Sequence, residues 1–412
     1  MQSLPGFRDF YPEDFAFRHA LVSRWRKTAR RYGFVEYDGP PLEPLELYQK
    51  KSGDELVGQL YHFVDKGERA VALRAEMTPT LARMVAARHQ QLRKPLKWFS
   101  IPQVFRYERT QKGRLREHFQ LNCDILGEGG TEADVELIAL LIDTLRGLGL
   151  TEEDFVIRLS DRRFWTDFLT ARAVPEKDWY EVFQAIDKSE REPKEKIAER
   201  LASVGLKPEE VFDVLENGAA WQPLSDISAG LAARGLGGYA KVDFRIVRGL
   251  AYYTGVVFEA FDRKGAFRAI AGGGRYDDLL SKLGDAPLPA IGFGMGDVVL
   301  TDLLKERGLL SEAPASCDVY VVVPDEAYRP AALGLVQELR EAGWSVDYSL
   351  SPDAKVRKQF EAAEQRGARC AVIVDAKTEQ GLVEVKDLAA RTQKEVPRAS
   401  LREALPPPAL LP

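Results

Sequence analysis

Apolar and polar positions change period several times along the chain, and each change marks an element. Across Pro12–Arg31, Phe15, Ala16, His19, Val22, Trp25 and Ala29 recur at helical spacing on roughly one face. Pro12 suits a first turn, and Gly33 after Arg30-Arg31-Tyr32 suits the residue past a helix end. Phe34–Tyr37 then reads as a short strand stopped by Gly39-Pro40-Pro41. Tyr61–Val64 and Ala70–Leu73 read as paired strands around a turn at Asp65–Glu68. Thr78 followed by Pro79 predicts a capped helix running to about His89. Val104–Gly127 reads as a strand, a polar loop and a returning strand. A helix is expected from Thr131, its early turns acidic at Glu132, Asp134 and Glu136, ending at Gly147. Phe155–Ser160 reads as a buried strand, with Asp161 capping a helix that holds Phe164, Trp165 and Phe168.

Beyond Thr170 the pattern shifts to short amphipathic helices rich in Lys and Glu, up to about Ala240. This stretch reads as an inserted helical module, and its small residues from Ser228 to Gly238 as a hinge back into the first domain. From Asp243 to Leu300 strands return with runs of glycine, including Gly272-Gly273-Gly274 and Ile291-Gly292-Phe293-Gly294-Met295-Gly296. Such glycines let a backbone approach a ligand closely or let a helix pack tightly on a sheet. Neither run fits a Walker or a Rossmann phosphate loop. After a linker at Ser311–Ser316, strands and helices alternate from Asp318, which predicts a small α/β domain with a largely parallel sheet. The expected divisions are 1–169 and 241–310 for one core, 170–240 for the insertion, 316–400 for the α/β domain and 401–412 for a loose tail.

Composition narrows the function classes. The chain has 412 residues, 45% hydrophobic and 29% charged, as expected of an ordinary soluble protein of two or three domains. No basic-then-apolar leader opens it, and no apolar run is long enough to span a bilayer, so a cytoplasmic location and no membrane partner are expected. Cys123, Cys317 and Cys370 lie far apart, and the four histidines show no paired spacing, so no disulfide scaffold or metal site is expected. A net charge of −5 excludes indiscriminate nucleic-acid binding, so any RNA contact must come from a local patch. Arg109–Arg116 is such a patch, with Arg109, Lys112, Arg114 and Arg116 and no acid. It reads either as the charged tip of a solvated hairpin or as a holder of phosphates and nucleic acid. Glu76, in the turn before Thr78, is either a solvated loop acid or a carboxylate aimed at a ligand's amino group.

Taken in order, several stretches resemble the histidyl-tRNA synthetases, a family of class II aminoacyl-tRNA synthetases. They are Phe105–Glu117 (FRYERTQKGRLRE, resembling motif 2), Arg248–Gly255 (RGLAYYTG), Gly272–Asp277 (GGGRYD) and the Leu73–Thr78 turn (LRAEMT). Lys358-Gln359-Phe360 and Val385–Leu388 resemble parts of the family's anticodon-binding domain. The resemblance covers essentially the whole chain. It implies an α+β fold: an antiparallel sheet of six or so strands flanked by helices, a helical insertion and a C-terminal anticodon-binding α/β domain. It also implies a histidine–tRNA ligase that forms histidyl-adenylate from histidine and ATP and then charges tRNA(His). Mg²⁺ would accompany ATP, and the protein would be a homodimer, with Pro12–Arg31 and Phe34–Pro41 near the interface.

Residue by residue, the resemblance assigns Arg106 and Arg248 to the α-phosphate and the amino-acid carboxylate, as the catalytic pair. Arg114 takes the γ-phosphate and Glu108 the adenine end. Glu76 and Thr78 take the α-amino group of histidine, and Gln120, Asp124, Tyr253 and Tyr276 surround its imidazole. Arg109, Gln111 and Arg116 face the acceptor end of the tRNA. Tyr252 reads as core packing.

The chain departs from the family pattern at four places. Val299 stands where motif 3 has an ATP-clamping arginine, and Arg275 or Arg245 is a candidate replacement whereas Arg307 is not. Ala251 replaces an acid in the signature beginning at Arg248, and Asp124 is one methylene shorter than the family's glutamate. His118-Phe119-Gln120 inverts the usual Phe-His-Gln order, which swaps the ring facing the ligand. These departures leave one alternative: a paralogue acting as the regulatory subunit of ATP phosphoribosyltransferase, a protein that resembles the catalytic core but lacks the anticodon-binding domain.

Overall fold

A computed structural model describes residues 2–49, 58–247, 253–284, 286–309, 317–352 and 354–408. The chain divides into two compact units, Met1–Tyr11 with Leu21–Leu310, and Pro12–Ala20 with Ser311–Pro412. In the first, the strands are β1 (Val35–Glu36), β2 (Leu42–Pro44), β3 (His62–Val64), β4 (Ala70–Leu73), β5 (Leu96–Ser100) and β6 (Gln103–Phe105). They continue with β7 (Glu117–Leu126), β8 (Phe155–Asp161), β9 (Ala240–Val242), β10 (Val256–Asp262), β11 (Ala271–Arg275) and β12 (Ala290–Gly296). Nine of these form one sheet in the order β1-β5-β7-β12-β11-β10-β8-β9, with β6 paired to β7, and β2-β4-β3 form a second. The large sheet is antiparallel through its centre, while β1 and β9 add in parallel at its ends. It is therefore wider than the six or so strands expected; the short edge strand β9, at the end of the helical stretch, was not among the strands read from the sequence.

β7 organises the centre. Its ten residues alternate, so His118, Gln120, Asn122 and Asp124 fall in one row and Phe119, Leu121, Cys123 and Ile125 in the other. The second row is apolar, and Leu121, Cys123 and Ile125 are buried. The helix Thr131–Arg146 packs against β7 and β12 and is buried on nearly every side, which its apolar run from Leu137 to Ile142 allows. Asp161 caps the helix Arg162–Thr170 by accepting from the Arg163 backbone at 2.9 Å. Four further helices, Trp179–Lys188, Lys194–Ser203, Pro208–Asn217 and Gln222–Ala233, lie between β8 and β9.

Three local expectations change. The helix after the Leu73–Thr78 turn runs Thr78–Ala86, with Met77 at its cap and no side-chain capping bond, so Thr78 lies in the first turn. The first part of the run read as a hinge is regular structure: Ser228–Ala233 is helical and packs on Thr131–Arg146, where a β-carbon on Gly230 would stand 2.7 Å from Val135. Smallness there serves a close helix crossing. Finally, the N-terminal helix buries Leu21, Trp25, Thr28 and Ala29, whereas Phe15 is exposed and stacks on His19.

In the second unit, β13 (Val319–Val322), β14 (Val346–Tyr348), β15 (Cys370–Ile373), β16 (Leu382–Asp387) and β17 (Thr392–Pro397) form a sheet in the order β14-β13-β15-β16-β17. Two pairings are parallel and two antiparallel, so the sheet is mixed rather than largely parallel. Gln359 is buried and fully used: its amide donates to the Val323 and Ala354 carbonyls at 2.8 Å each and accepts from the Val323 backbone at 2.9 Å. A buried amide is tolerated only with such satisfaction.

Candidate active site

The β6–β7 hairpin closes on itself. The Arg106 backbone donates to Arg116, and Gln111 and Arg114 exchange both backbone bonds at the tip. Arg114 Nε lies 2.7 Å from Glu108 Oε2, with the Glu108 side chain nearly buried. Arg116 Nε donates to the Glu108 carbonyl at 3.2 Å, and its guanidinium lies 4.5 Å from the Tyr107 ring centre. Arg109 and Gln111 remain exposed. Near the tip, Lys112 Nζ sits 5.4 Å from the Phe267 ring centre. A β-carbon on Gly113 would stand 3.2 Å from Val299, so the aliphatic residue at the motif 3 position borders the tip of the hairpin.

The Leu73–Thr78 turn lies against the same hairpin. Arg106 Nε donates to the Ala75 carbonyl at 3.0 Å, next to the buried Glu76, and the Phe105 backbone donates to Arg74. Arg74, which the residue assignments above passed over, clamps this turn with bonds to the Gln103 carbonyl, the Gly39 carbonyl and Asp38. Arg106 and Glu76 are thus neighbours although they come from different elements.

The glycine strands explain the rest of the pocket. β12 pairs with β7 so that Gly292 opposes Asp124, Gly294 opposes Asn122 and Gly296 opposes Gln120. An added β-carbon would stand 1.9 Å from Asp124 Oδ1 at Gly292, 2.8 Å from Gln120 Nε2 at Gly294, and 2.9 Å from Tyr253 Cδ1 at Gly274. Each glycine therefore makes room for one polar or aromatic side chain to lie down on the sheet. Tyr276 Oη donates to Asp124 Oδ1 at 2.5 Å, and both residues are buried. Tyr37 joins them unexpectedly: burial first, and then the charge of Asp124, pushes its phenol well above the ordinary range.

His118 shares the row of Gln120 and Asp124, while Phe119 takes the opposite row and meets Phe10 edge-on at 6.0 Å. Burial first, then the charges of Arg106 and Arg8, pushes the His118 imidazole down to about 3. It is therefore neutral at physiological pH. Arg8 ties the N-terminal segment here, 2.7 Å from Glu117 and 2.9 Å from Asp297, and Asp297 also accepts from the Phe119 backbone at 3.0 Å.

The structure thus brings Glu76, Arg106, Glu108, Arg114, Gln120, Asp124, Tyr253 and Tyr276 onto one hairpin, one turn and one glycine floor, with Thr78 at the end of that turn. Arg248 and Ala251 lie outside the described residues. Of the two arginines suggested as stand-ins for motif 3, Arg275 is committed within the fold and Arg245 is held by one longer pair. Arg275 is buried against Asp134 at 2.8 Å and donates to the Glu128 and Gly130 carbonyls, which fixes the approach to the helix Thr131–Arg146. Arg245 pairs with Asp243 at 3.4 Å and lines a cavity with Trp221 and Lys241. Arg307 is engaged with Asp154, Asp262 and Glu306.

A family model described as histidyl-tRNA synthetase matches residues 6–297, well over half of the 412 residues. The chain belongs to the histidyl-tRNA synthetase family. A second model, described as an anticodon binding domain, matches residues 318–406. A relative from Opitutus terrae, named histidine–tRNA ligase, is 48% identical, and the match covers 97% of each chain. The solved histidyl-tRNA synthetase of Nostoc sp. superposes with a TM-score of 0.84 at 25% identity, covering 98% of each chain. A structure from Bacillus halodurans, titled an ATP phosphoribosyltransferase regulatory subunit/histidyl-tRNA synthetase, reaches a TM-score of 0.74 at 23% identity, covering 88% of this chain and 96% of the other. That last likeness speaks to fold alone. Within the histidyl-tRNA synthetase fold seen here, Gly274, Gly292 and Gly294 are site residues that sequence reading left without partners; the signal of Gly292 and Gly294 was spacing by two along a strand, and that of Gly274 a run of three glycines.

Proposed function

We infer that the chain is a histidine–tRNA ligase, an aminoacyl-tRNA ligase that joins histidine to ATP as histidyl-adenylate and passes the histidyl group to tRNA(His). The observation that carries this reading at the site is the Tyr276–Asp124 bond laid on Gly292 beside Gln120, which suits a ring with two nitrogens to be read. A pocket of paired polar groups rejects an isostere lacking those groups far better than an apolar one does. Attack of a carboxylate on the α-phosphate brings two anions together, so the site must supply fixed positive charge. We assign that to Arg106 and, from the sequence resemblance, to Arg248. Glu76 and Thr78 receive the α-amino group, Glu108 the adenine end and Arg114 the γ-phosphate. Mg²⁺ enters with ATP through the phosphate oxygens. The proposed divisions remain 1–169 with 241–310, 170–240, 316–400 and 401–412, the 316–400 domain binding the anticodon. Among the described residues no helix is long and apolar enough to cross a membrane, and a cytoplasmic location is proposed. The decisive assay is histidine-dependent ATP–pyrophosphate exchange by the purified protein. Absence of exchange at saturating substrates, together with binding to an ATP phosphoribosyltransferase, would establish the regulatory reading instead.

The exposed Arg109 and Gln111 are proposed to meet the tRNA acceptor end, with Arg116 contributing from a braced position below. Losing one charge-assisted contact to a phosphate weakens binding by about 1.5–3 kcal/mol. Arg109→Ala is therefore expected to slow aminoacylation about tenfold or more while pyrophosphate exchange stays at the wild-type rate. Equal losses in both assays would remove the tRNA role.

A homodimer is also proposed. The family resemblance implies it, and the exposed apolar side chains Leu4, Tyr11, Val35, Leu42, Phe63 and Val64 are available to such an interface. Sedimentation velocity is expected to give a single species at twice the 46.2 kDa chain mass. A monomer at micromolar concentration refutes it.

A further inference from the structure

Three successive residues, Gly6, Phe7 and Arg8, each hold a residue that anchors Arg106 in its hairpin. Gly6, at a φ of +85°, accepts from the Arg116 backbone at 3.0 Å. Arg116 in turn accepts from the Arg106 backbone at 2.9 Å, so one row of backbone bonds runs from Gly6 to Arg106. The fit is close, since a β-carbon on Gly6 would stand 2.8 Å from Arg116 Cγ and 2.9 Å from Thr110 Cγ2. Phe7 packs on Phe105, the residue before Arg106, with ring centres 6.4 Å apart. Arg8 Nε donates at 2.7 Å to Glu117 Oε1, and Glu117 is the residue paired with Phe105 across the hairpin.

Arg8 also joins two elements. Its Nη1 donates at 2.9 Å to Asp297 Oδ2, at the start of the helix Asp297–Glu306 that carries Val299. Glu117 and Asp297 are both buried. Their remaining oxygens accept from the Gln103 amide at 2.8 Å and the Phe119 backbone at 3.0 Å. One guanidinium thus completes a network in which every carboxylate oxygen has a partner. Removing it leaves two buried carboxylates without the cation they share, and the elements that carry them lose their common anchor.

We propose that Arg8 is a positioning residue for adenylate formation, holding the hairpin with Gly6 and Phe7 so that Arg106 is aimed at the α-phosphate before ATP arrives. The assignment rests on the ligase reading above and extends it to a segment outside the motif 2, motif 3 and histidine signatures. Arg8 touches no substrate and acts through Arg106.

The test is a double-mutant cycle in histidine-dependent ATP–pyrophosphate exchange. Misplacing a catalytic group by about 1 Å costs on the order of 10²-fold in rate, so Arg8→Ala is expected to lower turnover by about tenfold or more. Histidine KM should stay near wild type, because Gln120 is fixed separately, its backbone donating to Pro102 at 3.0 Å. Arg8→Lys keeps the charge but loses the fork that spans both carboxylates, and should be intermediate. In an Arg106→Ala background, Arg8→Ala should cost little more, because the residue it aims is gone. Unchanged turnover in Arg8→Ala, or losses that multiply in the double variant, overturn the proposal. If Arg8→Ala does not fold, Gly6→Ala, which pushes the segment off Arg116 and keeps Arg8 in the chain, takes its place in the cycle. Should the wild-type protein show no exchange at all, the ligase reading fails separately, and amide hydrogen exchange then decides the hold on the hairpin. Faster exchange at Arg106 and Arg116 in Arg8→Ala, with the centre of β7 still protected, upholds it. Unchanged or uniformly raised exchange refutes it.

Discussion

Replacing Arg106 with alanine is expected to lower the turnover of histidine-dependent pyrophosphate exchange by on the order of 10²–10³, with little change in the KM for histidine. Arg106 is oriented before any ligand arrives, because its Nε donates to the Ala75 carbonyl at 3.0 Å and its backbone closes the hairpin on Arg116. A carbonyl fixes the direction of a guanidinium without neutralising its charge. That charge reaches its neighbours: it is among the causes that keep His118 neutral. A preoriented cation stabilises charge that grows only as the carboxylate attacks, and such an interaction acts on turnover rather than on substrate binding. Arg106→Lys should recover only part of the rate, since lysine keeps the charge and loses the fork. Turnover within about threefold of wild type in Arg106→Ala would be far below the effect of a transition-state contact, and would shift the α-phosphate role to another arginine.

How much of this could be read from the chain depends on how local each signal is. The row of Gln120 and Asp124 was legible because a strand's period of two places them on one face, and the Arg109–Arg116 loop because four cations without an acid stand out in a chain of net charge −5. The Asp161 cap and the helix Thr131–Arg146 were legible for the same reason. Partnerships between distant segments were not. Gly292 and Gly294 were visible as glycines, but their purpose depends on strand pairing with β7, more than one hundred and sixty residues earlier. The run from Ser228 looked like a hinge because small residues serve both flexibility and close packing, and only Val135 across the crossing decides between them. Arg275 looked available because nothing near it in sequence shows that Asp134 takes its charge.

A single methyl group at Gly292 should cost the protein most of its affinity for histidine. The β-carbon of Gly292→Ala would fall 1.9 Å from Asp124 Oδ1, 2.9 Å from its Cγ and 3.2 Å from the Cys123 carbonyl. Asp124 is too short to swing its carboxylate aside while keeping its place, and at 3% exposure it has nowhere open to go. The Tyr276 bond at 2.5 Å must therefore break or the two strands must part. Losing an aligned, buried carboxylate removes a charge-assisted bond to the imidazole, which corresponds to a rise in histidine KM on the order of 10²-fold. Gly296→Ala supplies the matched control: it lies on the same strand, and its nearest neighbour, His118 Cδ2, is 3.4 Å away, an ordinary contact. It should leave the histidine KM near wild type. Thermal melts establish that both variants fold, and Asp124→Ala, which frees the space instead of filling it, should raise the same KM if Gly292→Ala does not fold. A folded Gly292→Ala protein with wild-type histidine KM would show that Asp124 does not read the imidazole, and that the glycine floor serves strand packing alone.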